Sequence, residues 1–298
     1  MLAFTKYSKW YFIITGAITA TCIFSWLYFG LDLGIDFTGG SVLKFEYVTE
    51  RPKIEDISQK LAAAGLTKIS FKEEGTKGVI IKTGDITEEQ RKALYETFYN
   101  DSTVNRDALS FDKIGSMIGG ETKRKSMFAV ILSLIAIIIY IAVAFKKVSR
   151  PVKSWKYGIV TLLMLCHDIL LPIGIMAFLG RFFGHEFTIP ILTALLTVLG
   201  ASVNNSIVVF DRVRENLTKA SGTFKEIVDT SINQTFTRCL NSSLTALFPL
   251  LAIYFWGGQS LKDFALVLML GIIAGLYSAV LLAGPILVKW HEWHTRKA

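Results

Sequence analysis

Asp168, preceded by His167, lies in the middle of an apolar run, Tyr157–Leu179. A charge at the centre of a bilayer costs about 2.5–3.5 kcal/mol on insertion scales, so such a residue needs a partner, water or a task. Two readings are open: an ion or proton site, or a carboxyl capped inside a helix bundle. His167 is either a packed polar residue or a relay to its neighbour. A second apolar run, Leu195–Phe210, holds Gly200-Ala201-Ser202-Val203-Asn204-Asn205-Ser206. Four polar side chains in seven residues bond to neighbouring helices or line a wet path, and the small residues admit a second helix closely. Arg238 opens a further run and is followed by Asn241, Ser242, Ser243 and Thr245. It either snorkels to the interface or offers a cation to the polar patch around Asn204 and Asn205. Asp211-Arg212 and Arg214-Glu215 mark a rim, where a solvated charge cluster is the simpler reading.

The strongest local signal is Leu33-Gly34-Ile35-Asp36-Phe37-Thr38-Gly39-Gly40. Gly34, Gly39 and Gly40 permit a sharp corner. Asp36 can cap it by accepting backbone N–H bonds; the alternative is a direct ligand role. No Lys-Ser/Thr follows, which argues against a phosphate cradle.

Other chemistry is excluded. His185, His291 and His294 have no nucleophile or metal-ligand spacing around them, and no Walker-type sequence occurs. Cys22, Cys166 and Cys239 show no CxxC spacing and read as small buried apolar residues. The expectation is therefore no catalytic residue, no metal, no cofactor and no enzyme. The net charge of +8 invites a nucleic-acid reading. However, the basic residues flank apolar runs and form no groove-sized patch, so nucleic acid is not expected as a partner.

The elements that must position these residues are helices in lipid. Mean hydropathy is +0.46 and 52% of residues are hydrophobic. A helix needs about 20 apolar residues to cross the bilayer core, and six segments qualify: Trp10–Phe29, Ser126–Phe145, Tyr157–Leu179, Phe187–Phe210, Cys239–Phe255 and Phe264–Val288. The first is longer than the apolar core of a signal peptide and no A-x-A-like site follows, so it reads as an uncleaved anchor. Lys6, Lys9, the group Lys146 to Lys156, the group Arg212 to Arg238, and Lys289, Arg296 and Lys297 fall on one side; only Arg181 and Lys262 lie in the opposite short loops. Basic loops stay cytoplasmic, which places both termini inside.

Between Leu31 and Arg124 there are 14 basic and 16 acidic residues, against 32 and 24 in the whole chain, which leaves 18 and 8 elsewhere. This acidic stretch is expected outside. Ser41–Val48, Lys68–Lys72, Gly78–Lys82 and Ala108–Ile114 read as strands. Ile54–Ala64, stopped by Gly65, and Thr87–Phe98 read as helices, and Gly75 as a turn. The order βαββαβ is that of a ferredoxin-like unit. The expected fold is a polytopic α-helical membrane protein of six transmembrane helices, with an extracytoplasmic α+β ferredoxin-like domain between the first and second. Residues 1–30 form the cytoplasmic N-terminus and first helix, 31–124 the outer domain, 125–290 helices two to six, and 291–298 a cytoplasmic tail.

Five motifs in order now resemble the SecF family of the bacterial Sec translocase. They are Leu33–Gly40, Gly115–Glu121, His167-Asp168, Ser202–Asn216 (SVNNSIVVFDRVREN) and Asn233–Leu247 (NQTFTRCLNSSLTAL). The resemblance implies the resistance-nodulation-division architecture and pairing with a SecD subunit. It also implies contact with the SecYEG translocon, YajC, membrane lipid and the translocating polypeptide. The implied role is late, ion-gradient-driven export across the cytoplasmic (inner) membrane. Arg238 matches a family arginine thought to work beside an aspartate of the fourth span. Here that aspartate position holds Asn205, which cannot titrate. Either the SecD partner's carboxylates carry the cation path, or Asp168 carries more of it, or Asn205 replaces an original aspartate; its carbonyl can still face a cation. The other readings are a gradient-independent scaffold for SecD and the translocon, and a small-molecule or lipid transporter of the same architecture.

Overall fold

The structure, a computed structural model, describes residues 3–63, 69–74, 76–84, 86–144, 154–219 and 222–295. The chain forms two compact units, Met1–Asp32 with Ala129–Ala298, and Leu33–Phe128. The expected helix stop at Gly65, the turn at Gly75, the strand start at Lys68 and the basic residues at 146–153 and 296–297 lie outside the described residues.

A 3₁₀ turn, Phe4–Tyr7, leads into α1 (Ser8–Phe29). The helix ends where Gly30 turns to φ 73° while its N–H still reaches the Trp26 carbonyl. In the second unit a single helical turn, α2 (Ile35–Thr38), follows, with Gly34 at its N-cap. Then come β1 (Gly40–Tyr47), α3 (Ile54–Ala63), β2 (Ile69–Glu74), β3 (Gly78–Thr83), α4 (Glu88–Tyr99) and β4 (Val104–Ile114). The sheet order is β2-β3-β1-β4, with every neighbouring pair antiparallel. A register shift falls between Lys44 and Glu46 opposite β4.

Alternation along the strands decides the core of this unit. Leu43, Phe45 and Tyr47 of β1 and Val79 and Ile81 of β3 turn to the same side as Leu61 of α3 and Leu94 and Phe98 of α4. Phe45 and Phe98 stack at 4.4 Å between ring centroids. The first turn of α4 is fixed by a capping box: the Gln90 N–H donates to Thr87 Oγ1 at 3.3 Å, and the Thr87 N–H donates to Gln90 Oε1 at 3.0 Å.

The first unit holds the long helices. They are α5 (Ser116–Ala144, of which this unit includes the part from Ala129), α6 (Ser154–Phe183), α7 (Ile189–Lys219), α8 (Phe224–Trp256) and α9 (Gln259–Tyr277). The last continues through a π-helical segment, Ser278–Ala283, into α10 (Gly284–Thr295). Counting that continuous run as one, six helices are long and apolar enough to cross a membrane among the described residues. The expected six spans are therefore present, but the helices outrun them. The fifth was expected to open at Cys239 and instead begins at Phe224. Thr223 and Glu226 form a capping box there, with the Thr223 N–H donating to Glu226 Oε2 at 2.8 Å. Hydropathy marks only the apolar stretch, whereas the helix runs on into polar sequence. Cys22 and Cys239 are buried as expected, but Cys166 is exposed because it falls on the outward side of α6.

Tyr47 is buried, and its hydroxyl has no hydrogen-bond partner among the described residues. Burial, with the nearby Asp101 charge, pushes its phenol up to about 12. The unfolded chain, with a phenol near the ordinary value of about 10, ionises first as pH rises. The second unit should keep its stability up to about pH 10 and lose it between there and about pH 12. Tyr47→Phe should remove that loss, measured as resistance of Leu33–Phe128 to proteolysis in the full-length protein across the same range.

Candidate functional site

The helical unit buries few ionisable side chains. Among the described Lys, Arg, His, Asp and Glu residues of this unit, those buried are Lys156, His167, Asp168 and Asp263, and Asp168 has no exposure at all. Consecutive residues on α6 place His167 Nδ1 2.9 Å from Asp168 Oδ1. Two other helices complete the shell. The Ser278 hydroxyl, at the first residue of the π-helical segment, donates to Asp168 Oδ2 at 2.9 Å. The Ser202 hydroxyl on α7 donates to the same oxygen. The Tyr277 hydroxyl lies 2.9 Å from His167 Nε2, with the two rings edge to face at 5.4 Å. The Asp168 carboxyl is thus engaged by three side chains inside an apolar core.

Small residues allow this convergence. A Cβ on Gly275 of α9 would sit 3.1 Å from the Ser202 Cβ, and one on Gly271 would collide with the Val198 side chain. Gly271 and Gly275 are spaced as small-xxx-small, the pattern by which helices approach closely in lipid. Further along α6, Gly174 meets Cys22 of α1, and the Ser25 hydroxyl donates to the Gly174 carbonyl at 2.8 Å. Pro172 sits inside α6. It has no N–H to give to the Asp168 carbonyl four residues earlier, so the ladder is interrupted at the buried acid.

The other expected site residues are dispersed. Asn205 is buried one turn beyond Ser202, and among the described residues no side-chain hydrogen bond engages it. Asn204 points elsewhere: it is exposed in a groove of about 360 Å³ between α5 and α7, lined by Ala136, Ile137, Tyr140, Gly200, Val203 and Ile207. Arg238 is exposed in the middle of α8, not at its start. Along the same helix face Gln234, Asn241 and Thr245 are also exposed. Among the described residues no hydrogen bond joins Arg238 to the polar patch of Asn204 and Asn205. Arg212 is more than a solvated charge: it bonds Gln234 Oε1 on α8 at 2.6 Å and Glu215 at 2.5 Å. Asp211 pairs with Arg214 at 3.5 Å on the exposed side.

In the second unit, Gly34 is the N-cap of α2, and the Phe37 and Thr38 N–H groups donate to its carbonyl. Asp36 lies within the first turn rather than at the cap. Gly39 has φ 70° and Gly40 φ 131°. A Cβ on Gly39 would lie 2.5 Å from the Ser116 Cα, and one on Gly40 2.8 Å from the Thr83 carbonyl oxygen. Gly39 and Gly40 are a corner at which two backbone segments touch.

Sequence reasoning missed Tyr277, Ser278 and the His185–Asp263 pair, where Nδ1 and Oδ1 are 2.7 Å apart. The Gly271–Gly275 spacing was the one legible pointer to the helix carrying Tyr277 and Ser278.

Long apolar helices that converge on a buried carboxylate, with a small α/β unit, define a polytopic membrane protein with a polar core. A family model described as the C-terminal region of the SecD/SecF protein export membrane proteins matches residues 94–293. One for the SecD/SecF GG motif matches residues 24–50. The chain is 40% identical over 279 residues to a protein translocase subunit SecF of Thermobaculum terrenum, covering 89% of this chain and 86% of that one. It is 33% identical to a SecF of Sebaldella termitidis, covering 93% and 87%. A crystal structure of SecDF, a translocon-associated membrane protein from Thermus, superposes with a TM-score of 0.83 at 30% identity. The superposition covers 98% of this chain and 39% of that longer chain. The chain belongs to the SecF family of protein translocase subunits.

Two outcomes follow from this geometry. Ser278→Ala leaves Asp168 with one donor fewer and should destabilise the full-length protein by about 1–3 kcal/mol, read as a lower midpoint of thermal unfolding in detergent. Gly39→Ala forces a left-handed alanine against the Ser116 backbone and should cost about 2 kcal/mol or more, read as increased protease sensitivity of Leu33–Phe128.

Proposed function

We propose that this SecF-family subunit pairs with a SecD partner and uses a transmembrane ion gradient to promote the late, outward stage of polypeptide export. The observation that carries the reading is Asp168, a carboxylate with no exposure in a helix that can cross the membrane. A buried acid in such a helix is retained at a cost, and gains a use if cations reach it. One elementary charge moved across the membrane supplies about 2.3 kcal/mol per 100 mV, enough to bias a two-state helix arrangement. Buried Asn205 and exposed Asn204 and Arg238 are the further proposed members of the pathway. Exposed Arg238 and its polar neighbours on α8 call for cover by another chain, and the longer SecDF chain supports SecD as that cover.

The strand order β2-β3-β1-β4 supports a ferredoxin-like domain over 31–124, placed outside the cytoplasmic (inner) membrane by the Lys and Arg distribution. Both termini, including 291–298, are then cytoplasmic. SecYEG, YajC and the moving polypeptide are the proposed contacts. The protein is not an enzyme on this reading. A gradient-independent scaffold for SecD and the translocon is the second reading, favoured by the non-titrating Asn205.

Export into inverted vesicles that carry the SecD partner separates them. Asp168→Asn should lower gradient-dependent export about tenfold or more, and Asn205→Asp should retain or raise it, if each interaction supplies the 1.4 kcal/mol that equals a tenfold effect. Full export after collapse of the gradient would favour the scaffold.

A further inference from the structure

We infer that Tyr277, His167 and Asp168 form a proton-binding relay within this chain, and that its proton occupancy controls the hydroxyl clamp tying α6 to α7 and to the π-helical segment. The inference rests on the gradient reading above only for its use, not for its existence.

The three groups are in line. Asp168 Oδ1 is 2.9 Å from His167 Nδ1, and His167 Nε2 is 2.9 Å from the Tyr277 hydroxyl. The neutral imidazole that fits carries its hydrogen on Nδ1, so Nε2 accepts from Tyr277. Loading then balances simply. Hydronium gives its proton to the Tyr277 oxygen and leaves as water, the tyrosine O–H proton passes to Nε2, and the Nδ1 proton passes to Asp168 Oδ1. One proton is gained, the imidazole is neutral again with its hydrogen on Nε2, and the carboxylate becomes a carboxylic acid. Each step is a transfer along an existing hydrogen bond.

The surroundings make this a site rather than a chance contact. Asp168 is fully buried and His167 nearly so, while Tyr277 is half-buried and forms the outer end of the chain. From α1, the group that faces the trio is Cys22, close enough to act electrostatically on Tyr277. From α7 it is the Ser202 hydroxyl, and from the π-helical segment the Ser278 hydroxyl. From α5 and α10 the surrounding core receives Ile137, Ile141 and Leu287. The ionisable groups of α10 turn away: Lys289 lies over Phe12 and His291 packs on Phe224. Among the described residues the side chains bonded to Asp168 are His167, Ser202 and Ser278, with no Lys or Arg paired to it.

The clamp is the readable consequence. Both hydroxyls converge on Oδ2, and hydrogen bonds to an ionised carboxylate are about twice as strong as neutral ones. The clamp is tight when the proton is off and loose when it is on. Ser278 opens a π-helical segment whose register differs from the helices on either side. Segments of this kind occur mostly at functional sites.

The test uses the full-length chain in lipid nanodiscs with 15N-histidine, and His167→Gln assigns the signal among four histidines. As pH is lowered, the His167 hydrogen should move from Nδ1 to Nε2 while a protonated-carboxyl infrared band appears, the two changes running together. Asp168→Asn should abolish the band and the pH-linked tautomer change at His167, because an amide cannot take up the proton. Tyr277→Phe keeps the ring packing and should slow proton exchange at His167 about a hundredfold. A histidine signal insensitive to both variants overturns the relay. If the relay titrates as expected while export with SecD ignores the gradient, the gradient reading fails and the relay stands. If export follows the gradient while His167 and Asp168 are silent, the relay alone fails.

Discussion

The helical unit is organised around one buried charge and the hydrogen bonds that make it tolerable. An isolated carboxylate in a medium of low dielectric is not viable, and removing any of its donors leaves an unmet acceptor. Asp168 meets this constraint by drawing one donor from its own helix and two from others. Those donors must come within about 3 Å, so the helices must come close. This requirement explains why glycine occupies positions 271 and 275, where any side chain would hold α7 and α9 apart. The polar interior and the small-residue seam are two sides of one packing solution.

The second unit solves a different problem in the same currency of space. Its core is built by strand alternation against two amphipathic helices, and its fold needs no buried charge. What it requires is a corner between α2 and β1 at which backbone meets backbone. Gly39 and Gly40 fill it because their φ values and contacts leave no room for a Cβ. Of the two roles considered for the segment, the geometry of these two glycines fits the structural one.

Much of this is legible in the sequence. Six apolar runs gave six helices, and the strand and helix alternation of the second unit was read with ends displaced by a few residues. Asp168 was singled out because a carboxyl in an apolar run is costly wherever it points. The partners of Asp168 were not legible. A serine or tyrosine in an apolar helix has no periodic signature, and Tyr277 and Ser278 lie 110 residues away from the groups they bond. Asn204 and Asn205 were read as one patch, yet adjacent residues on a helix face about 100° apart, and one is buried while the other lines a groove. Arg238 was read as opening an apolar run, and the helix that holds this run begins earlier, at a capping box on Thr223.

The exposed face of α8 has a bearing on biogenesis. Gln234, Arg238, Asn241 and Thr245 form a hydrophilic ridge along a helix that otherwise belongs in hydrocarbon. A solitary copy would present that ridge to acyl chains. Such an orphan is the kind of species that membrane quality control recognises and degrades. Under the proposed pairing with SecD, matched synthesis of the two subunits would spare the cell such orphans, and detergent-extracted material would keep its integrity best as the pair.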